Sequence, residues 1–224
     1  MADIEHHMLH FLDNHDEQRL ASPEFAGTPQ KGKPLMVVST TISTSPTMVY
    51  FGQEVGEAGN ENAGFGTHSR TSIFDYIGVP NHQRWMNGGK FDGGQLTQEE
   101  KELRDFYKRI LNFSLNSTAL MGEYQEIQTV NRQTTQGYDP GIYAFTRWSD
   151  TQKLVIVTNF SWLSTSNFEL KIPSEIIRKW NLKDGNYTVT DQLYNKSSVQ
   201  LQVLNGEGKA QITIAPSESF IYQL

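Results

Sequence analysis

The 224-residue sequence predicts an α/β segment to about residue 118, followed from 119 to 224 by an all-β antiparallel sandwich of Greek-key type. Two observations separate the regions. In the first, strand-like apolar runs alternate with helical segments. In the second, apolar residues recur at alternate positions between turn-forming residues, the period of half-buried strands. The length suits one or two domains of ~100–150 residues each.

The first expected strand is Met8–Leu12, which runs into the polar cluster Asp13-Asn14-His15-Asp16. A helix is expected over Lys33–Ser43, with Pro34 in its first turn and Pro46 beyond its end. The apolar run Met48–Phe51 then reads as a second strand, parallel to the first, because a strand–helix–strand order implies a crossover between two buried parallel strands. Residues 53–96 are rich in Gly and Asn and too long for an idle connection, so they should carry function or small helices. Within them, Gly88-Gly89 and Gly93-Gly94 read as flexible turns. Thr97-Gln98-Glu99-Glu100 is a capping box opening a helix to about Phe113, with Leu103, Phe106, Tyr107, Ile110 and Leu111 on one face.

Beyond residue 119, Ile142–Trp148 and Lys153–Phe160 read as a hairpin across Ser149-Asp150-Thr151-Gln152. Further strands are expected at Asn167–Ile172, Asn186–Asp191, Val199–Leu204, Gln211–Ile214 and Ser219–Gln223, with one helix, Ser174–Trp180, capped by Ser174. Turns such as Asn205-Gly206-Glu207-Gly208 punctuate them.

A net charge of −6, with 19 basic and 25 acidic residues dispersed along the chain, does not provide the clustered basic face of a nucleic-acid groove. No apolar run approaches the ~18 residues of a membrane span. The N-terminus has neither a positive region nor an apolar signal core, and without cysteine the redox compartment stays open. His6, His7, His10 and His15 match no zinc spacing.

A buried strand ending in Asn, His and Asp offers donors, an acceptor and a fixed negative charge at one point, which suits a hydroxyl-rich ligand. The same triplet taken alone also reads as an Asx turn or helix cap. The whole run Phe11–Ser22, FLDNHDEQRLAS, resembles a sequence signature of the α-amylase family of glycoside hydrolases, where an Asn-His-Asp triplet caps the seventh strand of a (β/α)8 TIM barrel. Pro46–Glu54 resembles the eighth strand of that barrel. Arg70–Tyr76, with Trp85, resembles the substrate-proximal loop after it. The helix from Thr97 resembles the last barrel helix, and the β-rich remainder resembles the C-terminal sandwich of these enzymes.

The resemblance implies a C-terminal barrel portion over 1–118 and a β-sandwich domain over 119–224, together acting on α-glucosidic bonds of starch-type glucans by a retaining mechanism. It implies Asp16 as the carboxylate that stabilises the transition state, with Asn14, His15, Arg19, Glu54 and Arg70 in substrate binding. The family's nucleophile and acid/base motifs are missing from this sequence, and Leu103-Arg104-Asp105 and Arg147–Asp150 do not replace them, so the isolated chain should be inactive. No cofactor is evident, although the resemblance allows calcium in a complete enzyme. The expected partner is an α-glucan oligosaccharide or polysaccharide, with no nucleic acid and no membrane, and with self-association through open barrel edges. The alternative is a non-catalytic carbohydrate-binding module using Tyr143, Trp148 and Trp162 as stacking platforms.

Overall fold

The computed structural model describes residues 4–60, 69–71, 78–195 and 197–224. The chain divides into two compact units, Met1–Thr40 with Ser45–Asn112, and Thr41–Thr44 with Phe113–Leu224.

In the first unit, α1 spans Pro29–Thr41, so it starts four residues before the expected Lys33 and holds Pro34 in its interior rather than its first turn. Pro29 occupies the position that tolerates a missing N–H, and the Thr28 hydroxyl accepts from the Lys31 amide at 3.4 Å. The β-branched content is accommodated in part by Thr40, whose hydroxyl donates back to the Met36 carbonyl at 2.8 Å. Gly32 is required here: a Cβ would lie 2.8 Å from the Leu20 side chain packed against it.

Two expected strands are not formed. Met8–Leu12 and Met48–Phe51 reduce to one parallel bridge, His10↔Thr47, held by His10 N–H to Pro46 O and Met48 N–H to His10 O, both 2.8 Å. The expected direction is retained, but a central parallel strand needs pairing along its length and neighbours on both faces. Met8, Leu9 and Phe11 are 50%, 47% and 42% exposed, so this segment is not the buried strand expected.

After 3-10 turns at Gln53–Val55 come α2 (Pro80–Met86) and a 3-10 turn at Asn87–Gly89. Helix α3, Gln98–Asn116, opens on the expected capping box: Glu100 N–H donates to the Thr97 hydroxyl at 3.3 Å, and Thr97 N–H to the Glu100 carboxylate at 2.9 Å. It buries Leu103, Phe106, Tyr107 and Ile110 and runs one turn past Phe113.

The second unit is an antiparallel sheet of eight strands: β1 Glu123–Glu126, β2 Ile142–Trp148, β3 Lys153–Asn159, β4 Ser166–Ile172, β5 Gly185–Asp191, β6 Ser198–Leu204, β7 Glu207–Ile214 and β8 Ser219–Gln223. Helices α4 (Gln128–Thr134) and α5 (Ser174–Lys179) accompany it; α5 starts at Ser174 with Pro173, not Ser174, in the capping position. The order is β1-β2-β3-β8-β5-β6-β7-β4, in which β4 to β7 form a Greek key.

The two-sheet sandwich is thus replaced by one continuous sheet. Its two four-stranded leaves are joined by only Thr190↔Gln223 and Asp191↔Tyr222. Side chains from both leaves, including Val155, Val157, Phe168, Leu170, Leu201 and Ile212, share one core, which requires the sheet to curl upon itself. Strand β4 lies at an edge, and Asn131 of α4 covers it: the Asn131 amide donates to Lys171 O and accepts from Lys171 N–H, both at 2.8 Å. Trp148 is buried against Trp180, so it offers no sugar platform. Among the described residues no helix is long and apolar enough to cross a membrane.

Candidate functional site

The polar cluster after the His10 bridge is a loop closed at its base. Asp13, fully buried, accepts Leu20 N–H at 2.9 Å, which brings the two ends of the 13–20 loop together. Arg19, also fully buried, donates its Nε–H to the Thr71 hydroxyl at 2.7 Å, and its backbone N–H to Ser69 O at 2.8 Å. Its guanidinium lies 4.4 Å from the Tyr50 ring centre and 4.8 Å from that of Phe51, within range of a desolvated cation–π contact. One residue thereby ties the loop to segment 69–71 and to the turn at Tyr50–Phe51.

Arg70 is carried to the loop by this tie. Its guanidinium lies 3.8 Å from one oxygen of Asp16 and donates to the His15 carbonyl at 3.4 Å, while His15 Nε2 lies 3.3 Å from the other Asp16 oxygen. The structure therefore brings together His15, Asp16 and Arg70, and the Asp16 side chain is 71% exposed.

Asn14 has another task. Its side-chain oxygen accepts the amides of Asp16 and Glu17 at 2.7 and 3.0 Å, an Asx turn that shapes the loop tip. Arg19 is walled off from any ligand in solution, so its expected place among substrate-binding residues becomes an anchoring one. Glu54 is half-buried in the turn Gln53–Val55, where its charge acts on Asp13, Arg19 and His82. Of the loop Arg70–Tyr76, residues 72–76 lie outside the described residues.

Burial pushes the Asp13 carboxyl up to about 6, against the opposing Leu20 N–H and Arg19 charge. Burial likewise lowers Arg19 from its ordinary value, countered first by Asp13 and then by Glu57. Glu57, raised by burial, accepts the Asn81 and His82 amides at 3.0 and 3.3 Å and so caps the first turn of α2. Glu57 and His82 were absent from the residues singled out in the sequence, and Asp13 was read there only as part of the polar cluster. Gly52 and Gly56, both with φ near +80°, were the one available signal: they bracket the turn that aims Glu57 inward.

Among the described residues no three His, Asp or Glu side chains converge as metal ligands.

No family model matches this sequence, and no curated protein does. Solved structures do. A maltogenic α-amylase of Thermotoga neapolitana superposes with a TM-score of 0.61 at 15% identity, covering 96% of this chain and 40% of its own. An α-amylase of Geobacillus thermoleovorans complexed with acarbose gives 0.61 at 14%, covering 97% and 39%. The amylase AmyP in complex with maltotriose gives 0.60 at 20%, covering 95% and 40%. The chain spans about 40% of the length of these structures. It therefore has the fold of a part of α-amylase-type enzymes, and its helix-bearing first unit followed by an antiparallel sheet fits their C-terminal part.

Proposed function

We propose that this chain is the C-terminal part of an α-amylase-like glycoside hydrolase that cleaves α-glucosidic bonds of starch-type glucans with retention. Residues to about 118 supply part of a barrel, and the sheet region forms the domain that follows. The observation that carries this reading is the convergence of His15, Asp16 and Arg70 on one exposed loop built on a fully buried anchor.

The chemistry follows from that arrangement. Asp16 accepts hydrogen bonds from the 2- and 3-hydroxyls of the sugar at the cleavage point and opposes its developing positive charge with a fixed negative one. His15 donates to a neighbouring hydroxyl. Arg70 orients Asp16. A nucleophilic carboxylate and a protonated acid, ~5 Å apart in retaining enzymes, are supplied by strands outside this chain. Soluble starch with a reducing-sugar readout tests the assignment. The isolated chain is expected to show no turnover. In a longer enzyme containing this segment, Asp16→Asn is expected to lower kcat by about 100-fold or more with little change in KM. A mainly KM effect, or turnover by the isolated chain that Asp16→Ala abolishes, overturns the reading.

A further inference from the structure

The first unit holds a second cleft that the loop at residues 13–20 does not use. It encloses about 300 Å³ and is lined by Trp85, Asp92, Leu96, Lys101, Arg104 and Asp105. Next to Trp85 of this lining, Phe91 is 56% exposed, with its ring centre 5.8 Å from that of Trp85.

The loop that presents Phe91 is closely tied, contrary to the flexible turns expected from its glycines. Asn87 and the Gly94 amide both donate to one Asp92 oxygen, at 2.8 and 2.9 Å. Phe91 N–H bonds Met86 O at 2.9 Å, and Gly93 N–H bonds Trp85 O at 3.0 Å. Phe91 itself has φ +55°, in a region that bulky side chains avoid and that Gly88, Gly89 and Gly93 occupy without strain. A phenylalanine that is strained and exposed gains little from folding, and such outliers gather at functional sites.

The lining complements a sugar. Phe91 offers a flat apolar face, as rings that stack on a pyranose do. Asp105 on α3 and Asp92 on the loop are both exposed, so their carboxylates are open to a ligand hydroxyl. The guanidinium of Arg104 lies 5.5 Å from the Trp85 ring centre, and its buried Nε has no hydrogen-bond partner in the protein. Lys101 adds a second cation. The cleft is also braced against the loop anchor by a series of rings: Phe51 to His82 at 5.1 Å, then His82 to Trp85 at 5.5 Å.

We infer that this cleft is a binding site for a glucose unit of an α-glucan, in which Phe91 stacks on the ring, Asp92 and Asp105 accept its hydroxyl protons, and Arg104 and Lys101 donate to its oxygens. The glucan class rests on the proposed function, whereas the sugar-binding chemistry rests on the cleft alone.

The full chain, labelled at its indole and aromatic positions, is titrated with maltotriose and followed by NMR. The Trp85 indole and Phe91 ring resonances are expected to move in the wild type, and in Asp16→Ala with unchanged affinity. Phe91→Gly is expected to weaken binding by about tenfold while Tm holds or rises, because glycine accepts φ +55° and only the ring is lost. Unmoved Trp85 and Phe91 resonances, undiminished binding by Phe91→Gly, or a Tm lowered by several degrees in that variant each overturn the inference. If Phe91→Gly fails to fold, Asp105→Ala on the exposed face of α3 takes its place, with the same loss expected and undiminished binding overturning it. Movement at Trp85 and Phe91 without movement at His15 supports the cleft and counts against the assignment of His15 and Asp16. Movement at His15 alone does the reverse.

Discussion

Asp13 sits beside two of the residues proposed to meet substrate, yet its carboxyl faces inward, 3.9 Å from the Arg19 guanidinium. Its proton is held to about pH 6 in the folded chain, against an ordinary value of 3.8. Between those values the folded state binds more protons than the unfolded state, so the contribution of Asp13 to stability falls as pH rises. That contribution is complete below about 3.8, is lost through about 6, and amounts to about 3 kcal/mol. Urea midpoints between pH 4 and 7 are expected to show the wild type losing about that much relative to Asp13→Asn, which keeps an acceptor for Leu20 N–H without the titration. A difference of opposite sign would show that the pairing with Arg19 outweighs the burial. The polar character of this cluster was legible in the sequence, because it is a property of neighbouring residues. The division into exposed Asp16 and buried Asp13 was not, since it depends on Ser69, Thr71 and Tyr50, some 30–60 residues away in sequence.

At the level of elements, structure made by local interactions was readable and structure made by distant ones was not. The capping box of α3 was read correctly because its donors and acceptors lie within four residues. The turn between β6 and β7 was equally plain: Asn205 and Gly206, with φ +53° and +74°, make the two-residue left-handed turn that suits a hairpin. Strand β1 and helix α4 were missed, since neither Glu123–Glu126 nor Gln128–Thr134 has a clear apolar period. Yet α4 supplies Asn131, whose amide stands in for a neighbouring strand along the edge of β4. Asn131→Ala is expected to cost about 1–3 kcal/mol by leaving the Lys171 N–H and C=O without their partners. It should also make association concentration-dependent, because a bare edge recruits other strands. Thermal melts with light scattering check both effects. An unchanged Tm and a monomeric variant would mean that water or a neighbouring loop covers the edge instead.

For the whole molecule, the apolar residues at 8–11 remain open to solvent, and the extended segments around His10 and Thr47 share a single bridge. Self-association through residues 8–12 and 48–51 is the expected outcome. Leu9→Ser with Phe11→Ser should reduce it without lowering Tm, as read by light scattering over a concentration series; association unaffected by both changes would place the contact elsewhere. The change from a helix-bearing region to an all-β one could be read along the chain, but the missing strands of the first region and the order of strands in the second could not. Alternation tells which face of a strand is buried, whereas strand order is decided by pairings across the whole region. The sandwich became one sheet through β8, which pairs with β3 on one side and β5 on the other. That placement has a consequence for the order of synthesis. The ribosome makes β3 and then about 60 residues more before Ser219–Gln223 appear. At ~5–20 residues per second, β3 and β5 wait several seconds for the strand that lies between them. Through that interval the nascent chain carries two leaves that β8 has yet to join.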